Sequence, residues 1–312
     1  MVLEAAEAEP GVSVVFDHKL LNVDLPPMPA KPSASSDTHT TLVFRKMKVS
    51  DAVGTTTQTS RETVKAVLGC DGMFSRVRAS LQRKQPRFNF SQQFIPAGYK
   101  ELSIPANPLG TGKDRWRLDP NALHLWPRGQ FMMIAQPNHD GSFSCTLFMP
   151  FSREHSPTGS FDMLKTEVDV LSFFKEQFSD AIPLLPTLLK DWFARPVSPL
   201  CTVRCSPFNY GGAALLIGDA AHAIVPFYGQ GCNAAFEDCV LLDELWKEHD
   251  GSTDAIFRAF SAQRKPHVDA IGELAVEHYH VSWNPITAVF LRVRRGDELL
   301  RACCCRRNWR IR

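Results

Sequence analysis

Ala213-Ala214-Leu215-Leu216-Ile217-Gly218-Asp219-Ala220-Ala221-His222-Ala223, followed by Pro226-Phe227-Tyr228-Gly229-Gln230-Gly231-Cys232-Asn233, sets the architecture of this 312-residue chain. The near-continuous apolar run ending in Gly-Asp predicts a buried parallel strand, because a strand covered on both faces needs no polar alternation. Beyond it, the spacing over 233–246 predicts a helix that buries Ala235, Cys239, Leu242 and Trp246 on one stripe. An acid at a strand's end, here Asp219, can accept hydrogen bonds from sugar or ribityl hydroxyls, and the alanines beside it let a ligand approach. A turn acid or helix cap is the other use of such a residue. Gly229 and Gly231 expose backbone N–H groups at the helix start, where they stabilise negative charge. Residues 229–234 also fit GxGxxA by spacing, but they do not directly follow a strand and so make no dinucleotide fingerprint.

A second segment lies upstream: Gly69-Cys70-Asp71-Gly72-Met73-Phe74-Ser75-Arg76-Val77-Arg78. It predicts a strand end, an Asp-Gly turn and a helix capped by Ser75. A helix start beside two arginines can receive phosphate through its N–H groups and charge-assisted hydrogen bonds, but as a bare pattern Asp-Gly is only a turn, and the turn is the preferred reading. Gly110-Thr111-Gly112-Lys113 looks like part of a P-loop, but Asn107 and Asp114 occupy positions that need Gly and Ser or Thr, so it reads as a loop. Nearer the start, residues 4–9 predict the last turns of a helix stopped by Pro10-Gly11. Residues 12–16 predict a strand, extended by 17–21, and 41–49 and 62–68 predict two more. The Pro-, Ser- and Thr-rich stretch 26–41 reads as a loop. Short apolar runs at 99–104, 123–126, 131–135 and 143–149 predict an antiparallel sheet. Residues 168–178 have helical spacing, and Pro183, Pro186 and Pro196 then break the chain.

Composition narrows the class. With 44% apolar and 22% charged residues, the chain is neither wholly disordered nor collagen-like nor fibrous. No apolar run is long enough to span a bilayer, and the nearest window, 211–229, contains Asp219 and His222. The opening Glu4, Glu7 and Glu9 do not fit a signal peptide, so an intracellular protein without a transmembrane segment is expected. Nine cysteines without a CxxC pair predict reduced, buried thiols and no zinc site. The net charge of +2 conceals eight arginines within 292–312. The run Cys303-Cys304-Cys305-Arg306-Arg307 has neither period nor cap. A disordered or non-native end fits it better than nucleic-acid binding, which would bring a steep salt dependence.

Taken together, GCDGxxSxVR and GDAAHAxxPxxGQGxNxxxED resemble the class A flavoprotein monooxygenases. Further segments look like kynurenine 3-monooxygenase. They are Phe90-Ser91-Gln92-Gln93-Phe94-Ile95-Pro96, Gly98-Tyr99-Lys100-Glu101-Leu102 and Leu123-His124-Leu125-Trp126-Pro127-Arg128, then Phe131-Met132-Met133-Ile134-Ala135 and Cys145-Thr146-Leu147-Phe148-Met149-Pro150-Phe151. The resemblance, over residues 12–279, implies an enzyme that reduces FAD with NADPH. Oxygen then forms a flavin C4a-hydroperoxide, which hydroxylates L-kynurenine to 3-hydroxykynurenine. It implies that Asp219, beside Gly218, holds the ribityl chain and that Cys232 and Asn233 lie at the flavin ring. Leu20, Asp71, Gly72 and Arg76 match positions near FAD, and Pro226, Gly229 and Gly231 match the loop beside the flavin. Leu123, Ile134, Phe148 and Phe227 match substrate positions, and His278 stands where the family has a substrate-binding asparagine. No catalytic side chain or metal ligand is implied. A helix N-terminus favours anionic reduced flavin, and apolar walls keep water from a reactive oxygen species. His222 reads as a structural hydrogen-bonding residue rather than a general base.

The implied fold is α/β plus an antiparallel sheet: a partial, glutathione-reductase-like FAD-binding domain with an inserted β-sheet substrate domain. The expected divisions are 1–80 and 196–260 for the FAD-binding parts, 81–195 for the inserted domain, and 261–312 for a helical segment and basic tail. The resemblance begins inside the FAD domain, beyond the opening βαβ unit with GxGxxG and its ribose-binding acid. The family's arginine and tyrosine for the substrate carboxylate belong to that earlier part. Similarity ends after Tyr279, before the tail that anchors the animal enzymes on the cytosolic face of the mitochondrial outer membrane. Impaired activity of this chain alone is therefore expected. An inactive homologue serving as a binding or regulatory protein stays open, as does a related aromatic hydroxylase, against which 98–102 and 123–128 argue.

Overall fold

The acidic opening forms α1 (Val2–Ala8), ended by Pro10-Gly11, in the computed structural model, which describes residues 2–27, 39–46 and 59–283. Residues 12–16 do not form the expected strand. Asp17 takes a left-handed φ of 59° and the His18 ring bonds the Phe16 carbonyl, which interrupts the extended run and leaves Val12, Val15 and Phe16 exposed. The strand is β1 (His18–Asp24), paired antiparallel with β2 (Thr40–Lys46), and β2 pairs with β3 (Thr59–Val64). Residues 47–49 of the expected second strand and 28–38 of the expected loop lie outside the described residues, as does the basic tail. The single strand expected over 62–68 is in fact two. Val64 pairs with Thr40, whereas β4 (Val67–Gly69) joins a different sheet.

The chain continues through α2 (Arg76–Lys84), β5 (Asn89–Ile104), β6 (His124–Pro127), β7 (Met132–Pro137), β8 (Phe143–Pro150), α3 (Glu167–Gln177) and α4 (Leu188–Ala194). It then forms β9 (Ser198–Ser206), β10 (Asn209–Tyr210), β11 (Ala214–Leu216), α5 (Asp219–His222), α6 (Gly231–Glu248) and α7 (Thr253–Trp283). Two units result, one from Met1–Gln92 with Thr202–Gly272 and the other from Gln93–Cys201 with Glu273–Arg312. Their boundaries fall inside β5, β9 and α7, which run unbroken through them, whereas the expected divisions lie at 80, 195 and 260. No described helix is long and apolar enough to cross a membrane.

In the first unit β11 runs parallel to β4 and is buried along its whole length, as its apolar run predicts. Val77 and Leu81 of α2 pack into one core with Leu215, Leu216, Phe257 and Phe260. Glycine is required at 69, since a Cβ there would lie 2.8 Å from the Val77 side chain. Ser75 caps α2 by accepting the Arg78 N–H at 2.9 Å. Ser75→Ala should lower the unfolding free energy by about 1 kcal/mol. Urea denaturation would show this as a lower midpoint with an unchanged slope.

The second unit holds the antiparallel sheet, in the order β6-β7-β8-β5-β9. Period-two alternation turns Met133, Ala135, Cys145, Leu147 and Met149 to a core shared with Phe174, Phe178 and Trp192. A Thr166–Asp169 capping box starts α3, and Phe178 ends it close to the predicted boundary.

Candidate functional site

Strand β11 delivers the chain to Gly218, whose φ of 59° and ψ of −142° lie in a region open to glycine at little cost. This sharp turn leaves Asp219 exposed while Ala220, Ala221 and His222 point inward. Beneath the turn, the Asp238 carboxylate accepts the Gly218 N–H at 2.8 Å and the His222 Nε2–H at 2.7 Å on Oδ2. Its Oδ1 accepts from Arg264 Nε at 2.5 Å. Arg264 also reaches the Ala234 carbonyl at 2.9 Å and Glu237 at 2.8 Å. Asp238, Arg264 and His222 are 0%, 2% and 5% exposed, so the charges meet away from water. Burial alone would raise the Asp238 pKa, but hydrogen bonds and charge from His222, then Arg264 and the Gly218 N–H, hold it below the ordinary carboxylate value. His222 is thus a structural donor, as expected.

That network also turns α6. The helix buries Ala234, Asp238 and Leu245, so the expected stripe is displaced: Ala235 and Leu242 are only half-buried, and Cys239 and Trp246 are exposed. Directing Asp238 inward to meet Arg264 overrides the apolar periodicity. The first turn of α6 carries no side-chain cap, and its backbone bonding begins with Ala234 N–H to the Gln230 carbonyl. Cys232 and Asn233 are exposed there, with the Asn233 amide donating to Gln230 at 2.9 Å. Pro226 and Phe227 lie in the preceding 3₁₀ turn, which Gly229 closes. Gln230, Asn233, Glu237, Arg264, His267 and Ile271 line an open cleft of about 300 Å³.

The upstream segment meets this turn through β4 and Arg78. Buried Arg78 donates to the Ala220 carbonyl at 2.7 Å and to the Met73 carbonyl at 2.6 Å, and its guanidinium lies 4.8 Å from the Phe90 ring centre. The start of α2 does not offer the open N–H groups that a phosphate would need. Asp71 accepts from Arg76 N at 2.6 Å and Val77 N at 3.2 Å, and Ser75 takes Arg78 N. The Arg76 side chain is exposed and Gly72 is half-buried, while Leu20 packs against the same unit's core. In the second unit, Ile134 and Phe148 share the sheet face opposite Met133 and Leu147, and Ile134 pairs with Leu125. Leu123 lies two residues before Leu125, just outside β6, and is exposed. Phe148 is buried, 6.3 Å from the Tyr99 ring, and His278 is exposed on α7.

Asp238 and Arg264 were missed as functional candidates. Asp238 ends the quoted GDAAHA pattern, but nothing local in the sequence pairs it with an arginine 26 residues later. Buried thiols, too, were only part of the outcome. Cys145, Cys201 and Cys205 are buried, but Cys70, Cys232 and Cys239 are exposed, because the helix face and strand end that carry them are uncovered. Burial pushes the Cys145 and Cys205 thiols up to about 12. In native protein, iodoacetamide should therefore label Cys232 and Cys239 while sparing Cys145 and Cys205 until denaturant is added, as peptide mass mapping would show. Among the described residues, no group of three or more His, Cys, Asp or Glu is placed to hold a metal ion.

Residues 191–275 match the FAD binding domain family. The structure of Klebsiella pneumoniae HpxO complexed with FAD and uric acid superposes with a TM-score of 0.58, covering 90% of this chain and 62% of that one at 16% identity. The fold is that of FAD-binding monooxygenases, mixed α/β with antiparallel sheets. Sequence narrows the relationship. Kynurenine 3-monooxygenase of Flavobacterium psychrophilum is 49% identical over 213 residues, 68% of this chain and 46% of that protein. The Dictyostelium discoideum kynurenine 3-monooxygenase is 46% identical over 259 residues, 78% of this chain and 54% of that protein. The chain is related to the kynurenine 3-monooxygenases, and it spans about half the length of the curated relatives it matches.

Proposed function

We propose that this chain supplies part of an FAD- and NADPH-dependent monooxygenase that hydroxylates L-kynurenine to 3-hydroxykynurenine. The carrying observation is the exposed Asp219 carboxylate at the end of a buried parallel strand, presented by Gly218 and backed by the Asp238 network. The residues fit a flavin nucleotide: an acid for ribityl hydroxyls, small alanines beside it, and an uncapped helix start at Gly231 for partial negative charge. When bound, FAD supplies the redox chemistry that activates oxygen, with NADPH as the electron source. In this reading Asp219 accepts ribityl hydroxyls, while Cys232 and Asn233 hold the ring edge. Arg76, Gly72, Asp71 and Leu20 lie toward the rest of the cofactor, and Pro226 and Gly229 shape the adjoining loop. In this reading Leu123, Ile134 and Phe148 supply an apolar face that keeps water from the substrate ring, and Phe227 and His278 are further substrate residues.

The test is the visible flavin spectrum of the purified chain after incubation with FAD and removal of the excess. A bound band would support the reading, and Asp219→Ala should then weaken retention by roughly tenfold, the size of one lost charged hydrogen bond. Equal retention by the two proteins would remove Asp219 from the site. Kynurenine-dependent NADPH oxidation then tests the reaction. A retained flavin without it would favour a binding role for the chain.

A further inference from the structure

We infer that Arg264, on α7, is a positioning residue for the cofactor turn, acting through Asp238 on the Gly218 peptide; the cofactor half of this inference rests on the flavin reading above. The geometry has three links. Arg264 Nε holds Asp238 Oδ1 at 2.5 Å, the opposite oxygen holds the Gly218 N–H at 2.8 Å, and the same oxygen holds His222 at 2.7 Å. The turn from 218 to 222 is therefore pinned at both ends by one carboxylate. That carboxylate is in turn oriented by a guanidinium whose other arms reach Ala234 and Glu237.

The consequence is directional. A buried carboxylate free to rotate would trade donors, and the Gly218 peptide, at φ 59°, would lose the bond that fixes its plane. Asp219 follows that peptide directly, so its aim depends on a residue 45 positions away. A planar fork suits this task better than an ammonium, because it serves Asp238, Glu237 and the Ala234 carbonyl together without rotating. Arg264→Lys keeps the charge and removes the fork.

The experiment compares the full chain, Arg264→Lys and a core variant, Phe257→Leu, by amide hydrogen exchange and FAD titration. Arg264→Lys should speed exchange across 217–223 by about tenfold and weaken FAD binding by a similar factor, with peptides from β7 and β8 unchanged. Phe257→Leu lowers stability through the same unit's core and should do neither selectively. If the two variants alter exchange and flavin affinity alike, Arg264 is merely structural and the inference falls. It falls equally if Arg264→Lys leaves 217–223 as protected as before. Should Arg264→Lys fail to fold, Arg264→Met with Asp238→Asn removes both buried charges and is read in the same way. Should the unaltered chain retain no flavin, the flavin reading fails by itself, and exchange at 217–223 still decides the positioning role.

Discussion

Replacing Asp238 with alanine should lower stability by about 3–5 kcal/mol, because it leaves Arg264 charged and buried without its partner. A domain stable by roughly 5–15 kcal/mol would lose a large share of its margin. The loss has two parts. Arg264 keeps only Glu237, which is exposed, and the Ala234 carbonyl; Gly218 N–H and His222 lose their shared acceptor. Arg264→Met combined with Asp238→Leu should cost much less than the two single changes together, since no uncompensated charge remains. Acid gives an independent check. The folded Asp238 pKa lies below the unfolded value, so its contribution is fully present above about pH 4 and is lost as pH falls through the folded value. Urea unfolding followed by circular dichroism, at neutral pH and at stepwise lower pH, measures both effects. A loss under about 1 kcal/mol in Asp238→Ala would show that the network does not hold the turn.

Why some of this was legible in the sequence and some was not follows from the range of the interactions. The strand at 214–216, the Ser75 cap and the antiparallel runs all depend on neighbours a few residues away, and local patterns foretold them. The helix expected over 233–246 came from the same kind of signal, though it begins two residues earlier, at Gly231. The failures involve distant partners. Residues 62–68 read as one β-branched run, yet the two halves pair with Thr40 and with Ala214, which no local pattern separates. The α6 stripe was placed one residue off because the apolar count gave Asp238 no reason to point inward; its reason is Arg264, on another helix. At α2 the Asp-Gly turn reading holds over the phosphate one, because Asp71 folds back onto the N–H groups. The motif spelling marked the turn at 218–223. The side chains that hold its shape were invisible because they belong to tertiary pairing.

Gly218→Ala should lose about 2 kcal/mol and most of any retained flavin, although a Cβ at 218 would have room. The nearest atom to that Cβ is Ala235 Cβ at 3.4 Å, an ordinary contact, so crowding is not the obstacle. The backbone is. At φ 59° and ψ −142° an alanine must either bear strain of about 1–3 kcal/mol or rotate its peptide and release the bond to Asp238. Release costs about 1.5–3 kcal/mol for a bond to a charged acceptor, and toward the lower end here, because His222 and Arg264 still serve that carboxylate. The peptide is therefore expected to turn, carrying Asp219 away from its present aim. Gly231→Ala is the control: its Cβ would meet only Ile224 at 3.8 Å, and it sits at an ordinary helical φ. It should be neutral or slightly stabilising, since alanine favours the first turn of a helix over glycine. Urea midpoints for the two variants, and retained flavin for Gly218→Ala against the unaltered chain, settle the matter. If Gly218→Ala is as stable as Gly231→Ala and retains flavin like the unaltered chain, the turn at 218 is not the feature that aims Asp219.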